Sequence, residues 1–236
     1  DAQPYLGNAE FYDGFANYSA EISVPAGWSV MATGELQNPN EVFTPLTLER
    51  LAEAATSDAL VTIAAQGERD AETVTTLGDD GWLTYRFTAE NVRDFTWTTS
   101  NVQHWNATSA LVPDRDEDGE EDRVMIHSFW RPERAPLWAD QWLYGKQSIE
   151  YHSVYTGFPY PWSHMTSVEG ADIIDGGMEF PMLTLIGPYE GQDAQALFNV
   201  TSHELAHMWI PMIVGSNEKR HAWMDEGSTT FLEDQS

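Results

Sequence analysis

The chain has 236 residues, of which 42% are hydrophobic and 12% aromatic, enough to bury the core of one large or two modest domains. It contains no cysteine, which excludes a disulfide framework and cysteine metal sites. The formal net charge of −27 excludes nucleic acid and anionic membrane surfaces as favoured partners, because they carry charge of the same sign. No apolar run reaches the roughly 18 residues of a membrane helix.

The acidic composition and the first residues of the chain lead to two further expectations. Only 2 of the 11 basic residues are lysines, and such a surface suits salty water, where ions screen self-repulsion. A halophilic or marine source and a merely acidic protein both fit this composition. The chain opens on D-A-Q-P-Y-L-G, with neither an initiator methionine nor a targeting pattern. We therefore expect an internal piece of a longer protein.

The first half of the chain predicts short strands. Residues 18–33 alternate in polarity and predict a hairpin that turns at residues 25–27. Residues 46–55 show helical spacing after a proline and predict a short helix. Further strands are predicted for residues 60–64, 73–77, 83–88, 94–99 and 109–112, with a turn at residues 78–81. Short strands without a long helix indicate a β-sandwich or a curved sheet in residues 1–112.

An acidic loop, D-R-D-E-D-G-E-E-D, follows and marks the predicted domain boundary. Asp114, Asp116 and Asp118, followed by Gly119, fit the first half of a calcium loop. Position twelve of that loop is Met125, which cannot supply the usual bidentate carboxylate. A plain solvated loop is therefore favoured over a calcium site.

Residues 113–236 predict mixed α and β structure, so the whole chain is expected to be α+β. Residues 138–155 predict an amphipathic helix whose tryptophans belong to the core, and residues 157–162 break it. Strands are predicted for residues 164–169 and 178–186. Four histidines have no ligand spacing to one another and are predicted to be structural: His127, His152, His164 and His221.

The stretch V-T-S-H-E-L-A-H-M-W contains the strongest chemical signal in the chain. His203 and His207 are four residues apart, so a helix places both imidazoles on one face. Two neutral imidazoles so placed can bind one zinc ion. Glu204 lies between them and can take a proton from water at the same site without binding the metal. The alternative is a surface helix with two incidental histidines.

The third metal ligand is predicted downstream. A catalytic zinc site has three protein ligands and an open position, whereas a structural site has four. Residues 223–232 predict a second helix after a break at residues 215–217, and Glu226 lies nineteen positions beyond His207. Two helices joined in this way can pack side by side and bring Glu226 to the metal.

These residues resemble a known family. H-E-L-A-H-M-W followed by W-M-D-E-G is similar to the zinc aminopeptidases typified by aminopeptidase N and leukotriene hydrolase, with the signature H-E-x-x-H, eighteen residues, then E. Their second motif, G-x-M-E-N, has a counterpart in G-G-M-E-F at residues 176–180. Phrases such as V-P-A-G-W-S-V-M-A-T-G-E-L carry a weaker resemblance to the β-rich N-terminal domain of that family.

The resemblance implies a fold, a reaction and a substrate site. The fold is the later half of a β-sandwich domain in residues 1–112, then the first part of a thermolysin-like zinc peptidase domain in residues 113–236. One zinc ion on His203, His207 and Glu226, with Glu204 as base, implies removal of residues from peptide amino ends. Glu179 is implied to bind the free amino group of the substrate. Gly176, Gly177 and Met178 are implied to align the peptide as an added strand.

The chain also departs from the family pattern. Phe180 occupies the position where the family most often has asparagine. Asp225 occupies the position of the asparagine in the family's usual W-L-N-E-G. The family supplies an oxyanion-stabilising tyrosine some tens of residues after the last ligand, whereas this chain ends ten residues past Glu226. Segments of a parent enzyme are thus expected partners, and export from a bacterial cytoplasm is an expectation from the resemblance. A peptide-binding scaffold without turnover and an epoxide hydrolase remain as alternatives.

Overall fold

The computed structural model describes residues 11–70, 72–170 and 174–236. The described residues form strands β1–β11 and helices α1–α5. The strands are β1 (Ala16–Pro25), β2 (Ser29–Ala32), β3 (Glu35–Leu36), β4 (Val61–Ala64), β5 (Trp82–Val92), β6 (Trp97–Ser100), β7 (His104–Val112), β8 (Asp122–Trp130), β9 (His164–Glu169), β10 (Gly177–Phe180) and β11 (Leu183–Ile186). The helices are α1 (Pro39–Val42), α2 (Pro45–Ala54), α3 (Gln141–Tyr155), α4 (Ala194–Ala206) and α5 (Glu218–Gln235). This α+β composition agrees with the prediction.

A mixed six-stranded sheet, in the order β10-β11-β9-β8-β7-β4, forms the centre of the molecule. Strand β9 is parallel to both of its neighbours, β8 and β11, and the other pairs are antiparallel. Strands β1, β5 and β3 form a second sheet, and β2 pairs with β6. Strand β10 lies at the edge of the central sheet, where a peptide can add as a further strand.

In the first half of the chain, the positions of the strands were predicted better than their pairing. The predicted hairpin of residues 18–33 is wrong: β1 pairs with β5 and β2 pairs with β6. Alternating polarity identifies a half-buried strand but not its neighbour. The predicted strand at residues 73–77 is also wrong, because Glu72 has a positive φ of 73° and turns the backbone. Only an isolated bridge joins Thr75 to Phe43 there.

Helix α2 confirms the predicted short helix, and its N-terminus has a threonine cap followed by a proline. Thr44 accepts a hydrogen bond from the backbone N–H of Thr47 at 3.2 Å, and Pro45 occupies the first helical turn.

The single strand predicted for residues 178–186 is wrong, because β10 and β11 form a hairpin. Pro181 cannot donate to a ladder, and Met182 turns the chain with a φ of 64°.

The core continues across the predicted domain boundary. Strands β7 and β8 pair along their length, from Val112 with Asp122 to His104 with Trp130, so the central sheet includes residues from both predicted domains. A division between residues 112 and 113 remains a prediction.

Trp138 is fully buried, as predicted for a core residue. In the described residues we find no helix with the length and hydrophobicity needed to cross a bilayer.

Candidate metal and substrate site

Helix α4 presents the two histidines of the H-E-x-x-H motif. Asp193 caps its N-terminus by accepting from the backbone N–H of Ala196 at 2.9 Å. The helix ends at Ala206, and His207 is its C-cap residue with helical torsion angles, so the four-residue spacing still places both rings together. The ring centroids of His203 and His207 are 4.9 Å apart. His203 is partly exposed, whereas His207 is buried.

Helix α5 packs beside α4 and brings in the predicted third ligand. Glu226 Oε2 lies 3.2 Å from His203 Nε2 and 4.0 Å from His207 Nε2. Two ligands of a tetrahedral zinc ion with bonds of about 2.0–2.1 Å are separated by roughly 3.3 Å. The two imidazoles and the carboxylate therefore fit one zinc ion. Three ligands, with no fourth in this group of described residues, match a catalytic site.

Two further carboxylates orient the histidines, and the sequence interpretation did not assign them this role. Asp225 Oδ1 accepts from His207 Nδ1 at 2.8 Å, and Glu233 Oε2 accepts from His203 Nδ1 at 3.2 Å. Each bond places the ring proton on Nδ1 and leaves Nε2 free to bind a metal. Asp225 adjoins Glu226, and Glu233 follows it by seven residues, two helical turns on the same face. That spacing is the signal that could have identified Glu233.

The charges of this cluster hold protons on the metal-free histidines. Burial by itself lowers the pKa of His207, but the hydrogen bond with Asp225 and the charge of Glu179 raise it to about 10. Burial likewise opposes the raised pKa of His203, which arises from its bond with Glu226. The bond from His203 lowers the pKa of Glu226. A metal ion must therefore displace a proton to bind here.

Glu204 lies beside the cluster and in contact with strand β10. It is 5% exposed, and its Oε2 accepts from the hydroxyl of Thr184 at 3.5 Å. Burial raises the pKa of the Glu204 carboxyl to about 7, against the opposing charges of His207 and His203. A pKa near neutrality lets one carboxylate both accept and return a proton. A Cβ at Gly177 would lie 2.1 Å from Glu204 Oε1, so a larger residue there would displace the Glu204 carboxylate.

Glu179 projects from β10 to the same site. It is 6% exposed, and its Oε1 lies 3.9 Å from His207 Nδ1. Burial raises the pKa of Glu179 to about 8, and the charges of Glu204 and Asp225 add to this, whereas His207 opposes it. Met178 is partly buried, and Gly176 is exposed with open space where a Cβ would be. The structure thus brings Gly177 of the edge strand β10 close to Glu204 and Glu179 close to His207.

The acidic loop differs in detail from the predicted calcium site. Asp114 and Asp116 lie together with Asp122, and Asp118 is not part of this group. Asp114 Oδ2 accepts from the Gly119 backbone N–H at 2.8 Å, so this carboxylate oxygen supports the loop itself. Asp118 Oδ1 accepts from the Glu120 backbone N–H at 2.9 Å. Calcium binding there remains a prediction.

The predicted structural histidines make contacts other than metal ligation. His152 Nε2 contacts the backbone oxygen of Ser202 at 3.1 Å, and His164 Nε2 contacts that of Gly34 at 2.9 Å. His127 is buried against Trp105, while His221 is exposed. None of them belongs to a group of metal-ligand atoms found in the described residues.

Comparison with known proteins adds an independent finding. The model of the peptidase family M1 domain matches residues 144–236, which include β10, α4 and α5. We call this segment, which is similar to the M1 peptidase domain, the M1 segment. Leucine aminopeptidase 2 of Lodderomyces elongisporus is 39% identical over 77 residues, and that of Candida albicans is 36% identical over 77 residues. Leucine aminopeptidase 2 of Chaetomium globosum is also 36% identical over 77 residues.

The M1 match is partial on both sides. The alignments with these three relatives cover 32% of this chain and 12% to 13% of the relatives' own length. The chain therefore spans only a small part of the length of the curated relatives it matches.

Proposed function

We propose that this chain carries the zinc and substrate sites of an aminopeptidase, with Glu204 as the general base. One observation carries the proposal: His203, His207 and Glu226 converge within zinc-binding distance beside a buried carboxylate that does not take part in the cluster. The M1 segment and the relatives named leucine aminopeptidase support the same reaction class. Residues 1–112 are then part of a β-sandwich domain, and residues 113–236 are part of a thermolysin-like catalytic domain.

Zinc bound to these ligands supplies a Lewis acid that polarises the scissile carbonyl and makes water more acidic. Glu204 accepts the proton of the attacking water and later delivers it to the leaving amine. Its contact with Thr184 and Gly177 restricts the carboxylate to one position. Asp225 and Glu233 hold the imidazoles in the tautomer that leaves both Nε2 atoms available.

Strand β10 and Glu179 explain why the substrate needs a free amino end. The outer edge of β10 is available to a peptide, which can pair with its backbone as a further strand. The buried carboxylate of Glu179 then binds the terminal ammonium at a fixed distance from the metal cluster. A peptide with an acetylated end cannot form this ion pair, so cleavage is limited to the first peptide bond.

Metal content and substrate choice test the proposal together. We expect one equivalent of zinc and hydrolysis of leucyl amide, with no hydrolysis of its N-acetyl form. Glu204→Gln should retain zinc and lose several orders of magnitude in rate, whereas His203→Ala should lose zinc. Glu190→Gln, at an exposed glutamate, is the matched control. Absence of zinc, equal hydrolysis of both amides, or full activity of Glu204→Gln would overturn the proposal.

Glu179→Gln separates substrate binding from chemistry. Removing the charge that binds the ammonium should lower kcat/KM for leucyl amide by roughly 100-fold, with zinc content unchanged. An unchanged kcat/KM would remove Glu179 from the substrate site.

A further inference from the structure

A cavity of about 410 Å³ lies between helix α2 and the central sheet. Its walls are mainly apolar and include Met31, Phe43, Leu48, Leu51, Trp105 and Met125. This volume falls within the range of small-molecule binding sites in proteins. The cavity is therefore large enough for a ligand of its own.

The cavity is on the opposite face of the sheet from α3 and α4. Ile126 of β8 packs with Ile149 of α3 and Leu205 of α4. Successive residues of a strand point to opposite faces, so His127 faces the side covered by α2. His127 lines the cavity, together with residues of α2. The metal cluster contributes no residue to these walls.

His127 offers one hydrogen-bond donor in this apolar setting. The indole N–H of Trp105 can only donate, and it lies 3.2 Å from His127 Nδ1, which must accept. Burial lowers the pKa of His127 to about 3, so the ring is neutral and carries its proton on Nε2. His127 is 5% exposed, and its Nε2–H has no hydrogen-bond acceptor among the residues that the structure describes. Because His127 lines the cavity, a donor there favours a ligand with an acceptor.

The polar rim restricts the charge of that ligand. Glu35 is exposed at the cavity, and its carboxylate accepts a hydrogen bond from the Ser163 hydroxyl. His164 also lines the cavity, but its Nε2 is bonded to the Gly34 backbone oxygen at 2.9 Å. With a carboxylate at the rim and a net charge of −27 on the chain, anions are disfavoured.

We propose that this cavity binds an uncharged, mainly apolar small molecule whose carbonyl or hydroxyl oxygen accepts a hydrogen bond from His127 Nε2. The site is separate from the proposed peptidase site and does not depend on zinc. The apolar walls bind the body of the ligand, and His127 selects its oxygen.

Methyl NMR on the full 236-residue chain tests this binding directly. Met31 and Met125 line the cavity, and Met208 and Met212, in the core beside α4, serve as internal controls. Titration of methyl-labelled, metal-free protein with 2-octanone should shift the Met31 and Met125 signals in a saturable way. We expect a dissociation constant of about 1 mM or below. Octanoate, of the same length but negatively charged, should bind at least tenfold more weakly.

Two variants test the location and the hydrogen bond. Ala52→Phe narrows the cavity from an exposed position on α2, and we expect at least tenfold weaker binding. Ala139→Phe, at an exposed alanine outside the cavity, should bind as the parent does. His127→Phe keeps the ring but removes the donor, and should weaken binding of 2-octanone about tenfold.

The possible results are decisive in either direction. Unshifted Met31 and Met125 signals in folded parent protein at about 5 mM 2-octanone would overturn the proposal. Equal binding by octanoate, or by Ala52→Phe, would show non-specific adsorption and would overturn it too. If His127→Phe is unfolded, Ala52→Phe and octanoate still decide the outcome.

Discussion

Gly177 of strand β10 lies so close to Glu204 of helix α4 that a Cβ at residue 177 would come 2.1 Å from Glu204 Oε1 and 2.5 Å from its Cγ. Real Cβ atoms do not approach other atoms this closely, so a larger residue must displace the Glu204 side chain. The strand proposed to bind the peptide and the proposed base are therefore held in direct contact. The glycine of the G-G-M-E-F motif thus acts on the position of a carboxylate.

Gly177→Ala should displace the Glu204 carboxylate and lower kcat by roughly 100-fold, because a misplacement of about 1 Å has that effect on proton transfer. Zinc content and the thermal midpoint should change little, since the displaced atoms belong to a flexible side chain. Gly176→Ala is the matched control, because its Cβ would meet no atom within 4 Å. Full activity of Gly177→Ala would show that this contact does not position the base.

Asp225→Asn tests the carboxylate behind His207. Asp225 is fully buried and accepts from His207 Nδ1 at 2.8 Å, which makes the imidazole a stronger metal ligand. Substitution of such a partner usually lowers metal affinity 10–100-fold, and we expect a loss in this range. Competition with a chelator measures the affinity without reference to activity. Asp234→Asn, at an exposed aspartate of the same helix, should bind zinc as the parent does.

Zinc binding should release protons. The pKa of His207 is raised to about 10 in the metal-free protein, so its imidazole is protonated at pH 7.5, whereas a metal ligand must be neutral. At least about one proton should therefore be released for each zinc ion bound, and the affinity for zinc should fall as the pH falls below 10. Calorimetric titrations in buffers with different ionisation enthalpies measure this release. Identical heats in all buffers would contradict it.

Acid should destabilise the fold partly through His152. Burial lowers the pKa of His152 to about 4, below the ordinary value of 6.5, so the folded state favours the neutral ring. This contribution to stability is complete above pH 6.5 and is lost as the pH falls toward 4, for a total of roughly 3 kcal/mol. His152→Gln keeps a donor for the Ser202 backbone oxygen and cannot titrate.

Urea denaturation of metal-free protein between pH 7 and 4 makes the comparison. The free energy of unfolding of His152→Gln should fall less steeply with acid than that of the parent. His221→Gln, at an exposed histidine, should follow the parent. Parallel curves for all three proteins would remove His152 as a source of acid sensitivity.

The net charge of −27 predicts a response to salt. Like charges on the folded surface repel one another, and ions screen this repulsion over about 10 Å at 0.1 M and about 3 Å at 1 M. The thermal midpoint should rise as sodium chloride increases from low to molar concentration. A midpoint independent of salt would argue against adaptation to a salty environment.

Much of the candidate site could be predicted because its signal is local. The spacing of His203 and His207 positions two rings on one helix face, and in the structure their ligand atoms and one of Glu226 lie within 4.8 Å of one another. Asp225 and Glu233 were not assigned, because a carboxylate on an acidic helix is usually solvated, and only the packing of α5 against α4 distinguishes these two.

The fold shows the same limit. The strands within residues 18–33 were located, but their pairing in a hairpin was wrong, since β1 and β2 take partners at least 57 residues away. Residues 178–186 were predicted as one strand, but Met182 adopts a positive φ and turns the chain there. The polarity pattern of these residues does not reveal that backbone conformation.

The sequence alone determined the periodic and short-range features of this protein: the helix that carries H-E-x-x-H, the acidic surface and the α+β composition. Only the tertiary structure decided which strands pair, that Gly177 touches Glu204, and that a cavity with an unpaired His127 donor lies beneath α2. The physical reason is range. Spacing along a helix or strand follows from backbone geometry, whereas contacts between distant segments depend on how their side chains pack together.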